Sequence, residues 1–395
     1  MQDRMDHSGV KGSVIRGRLT TAGISLLVVA TGFLGYRTAA APSAASDPPL
    51  KLGVLFPFTG DSASYGVKGR RGVELAIDEL NIANSCGRPT TAIFEDSAAQ
   101  PTMGLSAFQK LVSADRVPAV IGDLVSSVVL AIAPTANRTH TVVLSPTASA
   151  PAVSTAGEYI YRIWPSDLLE GRTIAEYAVK QNFRRAAILH INNDYGSAIS
   201  DVFKNTFSGE GREVIASEAY LENNQDFRSA LFKLRTLTPD VLYVAGYYSD
   251  SATIVRQARE LGFNASVLGT TAIEDPKFLE LAGSAADGVI YPLATGFDPG
   301  SSDPRVRRFL AEFQRRFNGF PGWVEAQAYD AVSVICTAAA TIRGTLTGAT
   351  LKVALDNSGT LKGVTGTIKF DEHGDVVKPI RLRIIQHEQF VNLEQ

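Results

Sequence analysis

Small hydroxyl residues cluster at two neighbouring points of the chain, and they are well suited to hold a polar ligand. Ser126 and Ser127 follow one short apolar run, and Ser145, Thr147 and Ser149 follow the next. Free backbone N–H groups at a helix start attract an anion, and a Ser or Thr hydroxyl adds a donor. The spacing therefore predicts a site for a carboxylate or a similar polar group. The alternative, that Ser126 and Ser149 are plain helix caps, stays open at this point.

Two short strands must position these hydroxyls. Residues 119–122 and 141–144 are apolar and β-branched, as buried parallel strands are. In an open α/β sheet, ligands bind beyond the carboxyl ends of the strands. The two strand ends are therefore expected to form half of a small-molecule site.

The same alternation of strand and helix runs along most of the chain. Further strands are predicted over residues 51–56, 91–95, 186–191, 214–216, 240–246, 267–269 and 288–291. Helices are predicted from residue 65 and from 303, and over 102–114, 168–181, 198–207, 227–237, 252–261 and 326–342. Residues 366–370 and 379–385 are expected to form an antiparallel pair. Because the alternation breaks near 159–164 and restarts, the sequence predicts an α/β protein with two Rossmann-like lobes, each a parallel sheet flanked by helices.

Composition narrows the class of partner. The chain has 395 residues, of which 45% are hydrophobic and 20% charged, so it can build two domains with large cores. The formal net charge is -2, which argues against nucleic acid or an anionic membrane as the main partner.

The first 45 residues have the layout of a signal peptide. Lys11, Arg16 and Arg18 precede an apolar run over 22–36, and alanine-rich stretches over 39–41 and 43–45 offer cleavage sites. The run is short for a membrane span, which needs about 20 residues. Cleavage and export are therefore predicted. An uncleaved membrane anchor is the alternative, and Arg37 directly after the run favours it.

Neither cysteine spacing nor a catalytic motif indicates an enzyme. Cys86 and Cys336 lie far apart, so one disulfide and two separate buried thiols both remain open. The sequence has no G-x-S-x-G motif, no histidine pair at metal-binding spacing, and no G-x-G-x-x-G after the first strand. The prediction is a binding protein without a metal or another cofactor.

From about residue 50 onward, the chain resembles a known family. The resemblance rests on residues 53–55, 59–60, 65–66, 121–122, 126–127, 144–149 (LSPTAS), 193–196 (NDYG), 246–247, 256–259 (RQAR), 328–331 (AYDA), 363–366 (GVTG) and 370–371. In order and spacing these are similar to the leucine/isoleucine/valine-binding family of periplasmic solute-binding proteins, with the type I periplasmic-binding fold.

The resemblance implies an organisation and a role. Three crossovers, near residues 161–166, 291–295 and 363–370, would join an N-terminal lobe (50–163 plus 295–363) to a C-terminal lobe (164–294 plus 364–395). Ligand would close the lobes by a hinge motion. The protein would be a periplasmic monomer that captures a small polar solute and delivers it to an ABC permease in the inner membrane. A membrane-anchored ligand sensor is the alternative role.

The resemblance also implies roles for individual residues. Ser126 and Ser149 would hold a ligand carboxylate, and Thr147 and Ala148 would add backbone contacts from the same loop. The cleft would be walled by three aromatic side chains: Tyr65, Tyr195 and Tyr247.

One position departs from the family pattern. Amino-acid binders of this family have an acidic residue where this chain has Thr271, and that residue pairs with the ligand ammonium. Glu274 is the nearest replacement, because Asp275 before Pro276 is expected to cap a helix. A buried ammonium without a carboxylate partner is costly. An amino acid, branched-chain or related, therefore competes with an aromatic or aliphatic carboxylic acid, an amide or a urea-like solute.

Overall fold

A computed structural model describes residues 48–294 and 296–394. The signal peptide or anchor predicted over residues 1–45 lies outside these residues. The helices and strands predicted for the rest of the chain can be compared with the structure one by one. Within the described ranges, no helix is both long and apolar enough to span a membrane.

The first sheet has five parallel strands, and three helices connect them. The strands are β1 (Leu50–Phe56), β2 (Thr90–Asp96), β3 (Ala119–Gly122), β4 (Val142–Ser145) and β5 (Ile160–Arg162), in the order β2-β1-β3-β4-β5; the helices are α1 (Ala63–Ile82), α2 (Pro101–Ser113) and α3 (Ser126–Thr139). Val54 packs with the layer that contains α1, whereas Leu55 packs with α2 and α3. The sheet is therefore covered on both faces, as its continuous apolar strands require.

The second sheet starts as another βα series. Its strands are β6 (Arg185–Ile191), β7 (Glu213–Tyr220), β8 (Val241–Ala245), β9 (Ser266–Leu268) and β10 (Ile290–Ala294); its helices are α4 (Asp167–Lys180), α5 (Asp194–Phe207), α6 (Arg228–Thr236), α7 (Tyr248–Glu260) and α8 (Pro276–Ala282). Helices α5 and α7 begin four residues earlier than predicted. Tyr195 therefore lies in a first helical turn, and Tyr247 is an N-cap residue rather than part of a longer loop.

The chain then returns to the first sheet before it ends in the second. The returning helices are α9 (Pro304–Phe317), α10 (Trp323–Thr341) and α11 (Gly348–Asp356), followed by the hairpin β11 (Leu361–Gly363) and β12 (Gly366–Ile368), and by β13 (Ile380–Gln386) and β14 (Gln389–Asn392). Helix α10 packs along α1, and β13 pairs with β10. We call the first sheet with α1–α3 and α9–α11 the first lobe, and the second sheet with α4–α8 the second lobe. The exact boundary residues of the lobes stay a prediction.

Two predicted features are wrong in detail. The antiparallel pairing of 366–370 with 379–385 does not form, because β12 pairs with β11 while β13 pairs with β10 and β14. The predicted break near 159–164 contains β5, a three-residue strand that completes the first sheet. The first error arose because β12 turns back on β11 in a tight hairpin, which leaves β13 to pair with β10 and β14.

A disulfide joins Cys86, just after α1, to Cys336 in α10. The structure thus decides between the alternatives left open by the sequence. The bond ties together two helices that already pack along each other in the first lobe.

Candidate functional site

The two βα turns of the first sheet hold each other in place through their hydroxyls. Ser126 Oγ accepts hydrogen bonds from the backbone N–H groups of Ser149 and Ala150, each at 3.1 Å. Thr147 Oγ1 donates to the Leu124 carbonyl at 2.8 Å. The N-cap of α3 is Val125, so Ser126 is the first helical residue and not a cap. Since its oxygen serves as an acceptor, the Ser126 hydroxyl hydrogen is still free to donate to a ligand.

Ala148 is placed differently from the other predicted residues. Its backbone N–H already donates to Ser145 Oγ at 2.9 Å, and its side chain is buried outside the space that the other predicted residues surround. Ser145 Oγ in turn donates to the carbonyl of Asp123. The N–H of Ala148 and the hydroxyl of Ser145 therefore shape the loop.

Aromatic side chains from both lobes line the same space as the hydroxyls. Tyr195 and Tyr247, from the second lobe, stack with their ring centroids 5.5 Å apart. Tyr65, from α1, meets the ring of Tyr247 edge-on at 6.3 Å. Burial raises the pKa of all three phenols well above 10, so they stay neutral. They offer apolar faces and O–H groups rather than charge.

These residues surround a narrow space between the lobes, in which about 490 Å³ is free of atoms when its opening to solvent is included. Seven of the eight predicted residues line it, the exception being Ala148. The complete lining is Tyr65, Leu124, Val125, Ser126, Thr147, Ser149, Trp164, Glu170, Tyr195, Tyr247, Thr271, Ala272, Trp323 and Val324. Both lobes thus contribute to a single interlobe cleft.

The cleft contains an acidic residue that sequence reasoning missed. Glu170, in the first turn of α4, is 2% exposed and lines the space. Its Oε1 accepts from the Thr271 backbone N–H at 2.8 Å, and its Oε2 lies 2.9 Å from Thr271 Oγ1. The loop position occupied by Thr271 therefore does approach a carboxylate, but a helix 101 residues earlier in the chain supplies it. An acid in the first turn of the predicted helix 168–181 was the available signal.

Glu274, which the sequence suggested as the acidic partner of a ligand ammonium, is already bonded to other side chains. Its carboxylate forms an ion pair with Arg383 and accepts the hydroxyl of Tyr291. It does not line the cleft. Glu274 is therefore the wrong residue, and an acid that already neutralises Arg383 is a poor partner for a ligand ammonium.

Burial governs the charge state of the acids next to the cleft. It raises the pKa of Glu170 to about 7, against the opposing effect of the Thr271 N–H and O–H donors. It also raises the pKa of Asp167, in the same helical turn, and the negative charge of Glu170 raises it further. Near neutral pH, Glu170 is therefore close to half protonated.

Contacts between the lobes hold the cleft closed. Asp275 caps α8, as predicted, by accepting from the Lys277 N–H at 2.8 Å. Its other oxygen accepts from Ser64 Oγ at 3.0 Å and pairs with Lys68 Nζ at 2.7 Å, both on α1. Trp323 Nε1 donates to the carbonyl of Glu274 at 2.9 Å. We call the contacts of Asp275 with Ser64 and Lys68, and of Trp323 with Glu274, the latch, because each joins the first lobe to the second.

Metal-binding side chains are not clustered in the part of the chain that the structure describes. Among residues 48–294 and 296–394, no group of three or more His, Cys, Asp or Glu side chains is arranged to hold a metal ion. The chemistry that the cleft offers is hydrogen bonding, apolar contact and one titratable carboxylate.

Comparisons with known proteins agree with this architecture. The sequence profile of the periplasmic binding protein family matches residues 49–387. A leucine-, isoleucine-, valine-, threonine- and alanine-binding protein of Pseudomonas aeruginosa is 26% identical over 359 residues, which are 90% of this chain and 94% of that protein.

Solved structures share the two-lobed fold. The leucine binding protein LivK of Thermotoga maritima matches with a TM-score of 0.81 and 25% identity, over 87% of this chain and 98% of that one. The branched-chain amino acid transporter substrate binding protein LivJ of Streptococcus pneumoniae, in complex with isoleucine, matches with a TM-score of 0.79 and 26% identity, over the same shares. The chain belongs to the periplasmic binding protein family.

Proposed function

We propose that this protein is an exported receptor that captures a small amino acid, branched-chain or related, and delivers it to an ABC permease. The observation that carries the proposal is the polarity of the cleft. Ser126 and Ser149, whose hydroxyls would meet a ligand carboxylate, line the cleft together with Glu170, whose carboxylate would meet an ammonium. The stacked rings of Tyr195 and Tyr247 suit an aliphatic side chain.

The comparisons support the class of ligand. A relative 26% identical is named for binding leucine, isoleucine, valine, threonine and alanine, and a structure of similar fold holds isoleucine. Delivery to a permease and export to the periplasm are inferred from the same relationship. A monomer is inferred because the cleft is complete within one chain.

A second candidate ligand is a carboxylic acid or amide without an amino group. The observation that favours it is the raised pKa of Glu170, about 7, because a protonated carboxyl would donate to such a ligand instead of meeting an ammonium. The two candidates differ only at the amino group, so matched ligands separate them.

A thermal-shift screen tests the proposal. We expect leucine, isoleucine or valine to raise the melting temperature, because a ligand that binds only the folded state stabilises it by ~2.7 kcal/mol at a hundred times its dissociation constant. The comparison ligand is 4-methylpentanoate, which is leucine without its amino group. A rise with 4-methylpentanoate alone would favour the second candidate, and no rise with amino acids, acids or amides would contradict the proposed receptor.

A further inference from the structure

The hydroxyl of Thr271 lies between two acceptors. Its Oγ1 is 2.7 Å from the carbonyl oxygen of Pro292 and 2.9 Å from Glu170 Oε2. A hydroxyl has one hydrogen and a carbonyl has none, so the two contacts together need a second hydrogen. A protonated Glu170 supplies it: the carboxyl donates to Thr271 Oγ1, and Thr271 donates to Pro292. Both distances at Thr271 Oγ1 are thus satisfied with Glu170 neutral.

The surroundings of Glu170 also favour the neutral form. Asp167, on the same turn of α4, is fully buried, so ionising both acids would place two negative charges together. Tyr195 of α5 and Tyr243 of β8 face the two acids with neutral rings. The nearby cation Arg162 acts on Asp167 and is already bonded to Asp375.

We infer that Glu170 is the residue that selects a ligand with an amino group, and that the ligand ammonium displaces a proton held in the free protein between Glu170 and Thr271. The inference rests on the proposed function. In this exchange the Glu170 O–H bond breaks and one proton leaves for solvent. The ligand –NH₃⁺ takes the place of that proton beside the carboxylate. Thr271 then turns its hydroxyl hydrogen toward the ionised Glu170.

If this exchange occurs, the direction in which ligand affinity changes with pH shows whether the ligand carries an amino group. With a pKa of about 7, the ionised fraction of Glu170 falls roughly tenfold between pH 8 and pH 6. Affinity for an amino acid should fall by the same factor over that range. A ligand without an amino group should show the opposite trend, because an ionised Glu170 would stay buried without a cationic partner and would repel the ligand carboxylate.

The test is calorimetric titration of the full chain with L-leucine and with 4-methylpentanoate, at pH 6 and pH 8. Repeating each titration in buffers of different ionisation enthalpy counts the protons released. We expect close to one proton per leucine at pH 6, few at pH 8, and affinity about tenfold lower at pH 6.

A variant adds a second readout. Glu170→Gln keeps a donor and an acceptor in place, and it should lower affinity for leucine at pH 8 by at least ~30-fold, release no proton and remove the pH dependence. It should bind 4-methylpentanoate as well as or better than the wild type. The matched control is Glu176→Gln, an exposed acid on the same helix, which should change none of these values.

The outcomes separate this inference from the proposed function. Leucine binding without proton release, or unchanged leucine affinity in Glu170→Gln, would overturn the inference and leave the receptor intact. Binding of 4-methylpentanoate without leucine would overturn the selection of an amino group. The proton count on the wild type decides the matter even if the variant fails to fold. Failure of both probes and of the other candidate ligands would instead contradict the proposed function.

Discussion

Replacing Glu170 by glutamine should stabilise the free protein at high pH. Burial raises the pKa of Glu170 from 4.5 to about 7, which makes its ionised form less favourable in the folded state by about 3 kcal/mol. The folded protein keeps a proton that the unfolded chain releases between pH 4.5 and 7. The contribution of neutral Glu170 to the free energy of unfolding is therefore fully present below pH 4.5 and is lost as the pH rises through 7.

Glutamine reproduces the neutral carboxyl and cannot ionise. Its carbonyl can accept from the Thr271 N–H, and its amide N–H can donate to Thr271 Oγ1, so both contacts of Glu170 survive. We expect the variant to exceed the wild type in free energy of unfolding by about 3 kcal/mol at pH 8 and by less than about 1 kcal/mol at pH 5.

The measurement is urea denaturation of ligand-free protein at both pH values, with Glu176→Gln as the control on the same helix. The comparison is between variant and wild type at each pH, because other buried acids such as Asp123 and Asp250 contribute to the pH dependence of both proteins. A variant that is less stable by the same amount at pH 5 and pH 8 would refute the reasoning, since it would show that the charged carboxylate is the favoured form.

Three further predictions concern the hydroxyl wall, the latch and the disulfide. Ser126→Ala should weaken ligand binding by about 1–3 kcal/mol and also lower stability, because it leaves the N–H groups of Ser149 and Ala150 unpaired; unchanged affinity by calorimetry would contradict its place in the site. Asp275→Asn should weaken the closed form by ~1.5–3 kcal/mol and speed ligand release in stopped-flow measurements, and an unaltered dissociation rate would argue against the latch. Reducing the Cys86–Cys336 bond, which spans 250 residues, should lower the free energy of unfolding by about 2–5 kcal/mol, measured by urea denaturation with and without reductant. A midpoint insensitive to reductant would contradict it.

Local patterns were enough to predict most of the fold. The apolar segments 119–122 and 141–144 become β3 and β4 almost residue for residue, because a strand buried on both faces must be apolar along its length. Parallel strands share a direction, so their carboxyl ends lie at one edge of the sheet. The hydroxyls that follow β3 and β4 therefore meet at that edge. Spacing therefore pointed to Ser126 and Ser149 as candidates for the cleft and left open that they were helix caps, while Thr147 was added by the family resemblance.

Pairings between distant parts of the chain could not be predicted in this way. Strand β13 pairs with β10, although the helices α9, α10 and α11 lie between them in the chain. Whether Cys86 and Cys336 bond depends on α1 lying along α10. Sequence spacing carries no information about either arrangement, because both depend on contacts formed after the chain has folded.

The sequence by itself determined the fold class and the family resemblance, and it indicated candidates for the hydroxyl half of the cleft, because each follows from short-range patterns of apolar and small polar residues. The acidic half was decided by the tertiary structure alone. Glu274 and Glu170 are both acids near predicted cleft elements, but folding pairs Glu274 with Arg383, 109 residues away, and brings Glu170 against Thr271, 101 residues away. Burial at that place then raises the pKa of Glu170 to about 7, a property that no local pattern contains, since desolvation is a consequence of the completed packing.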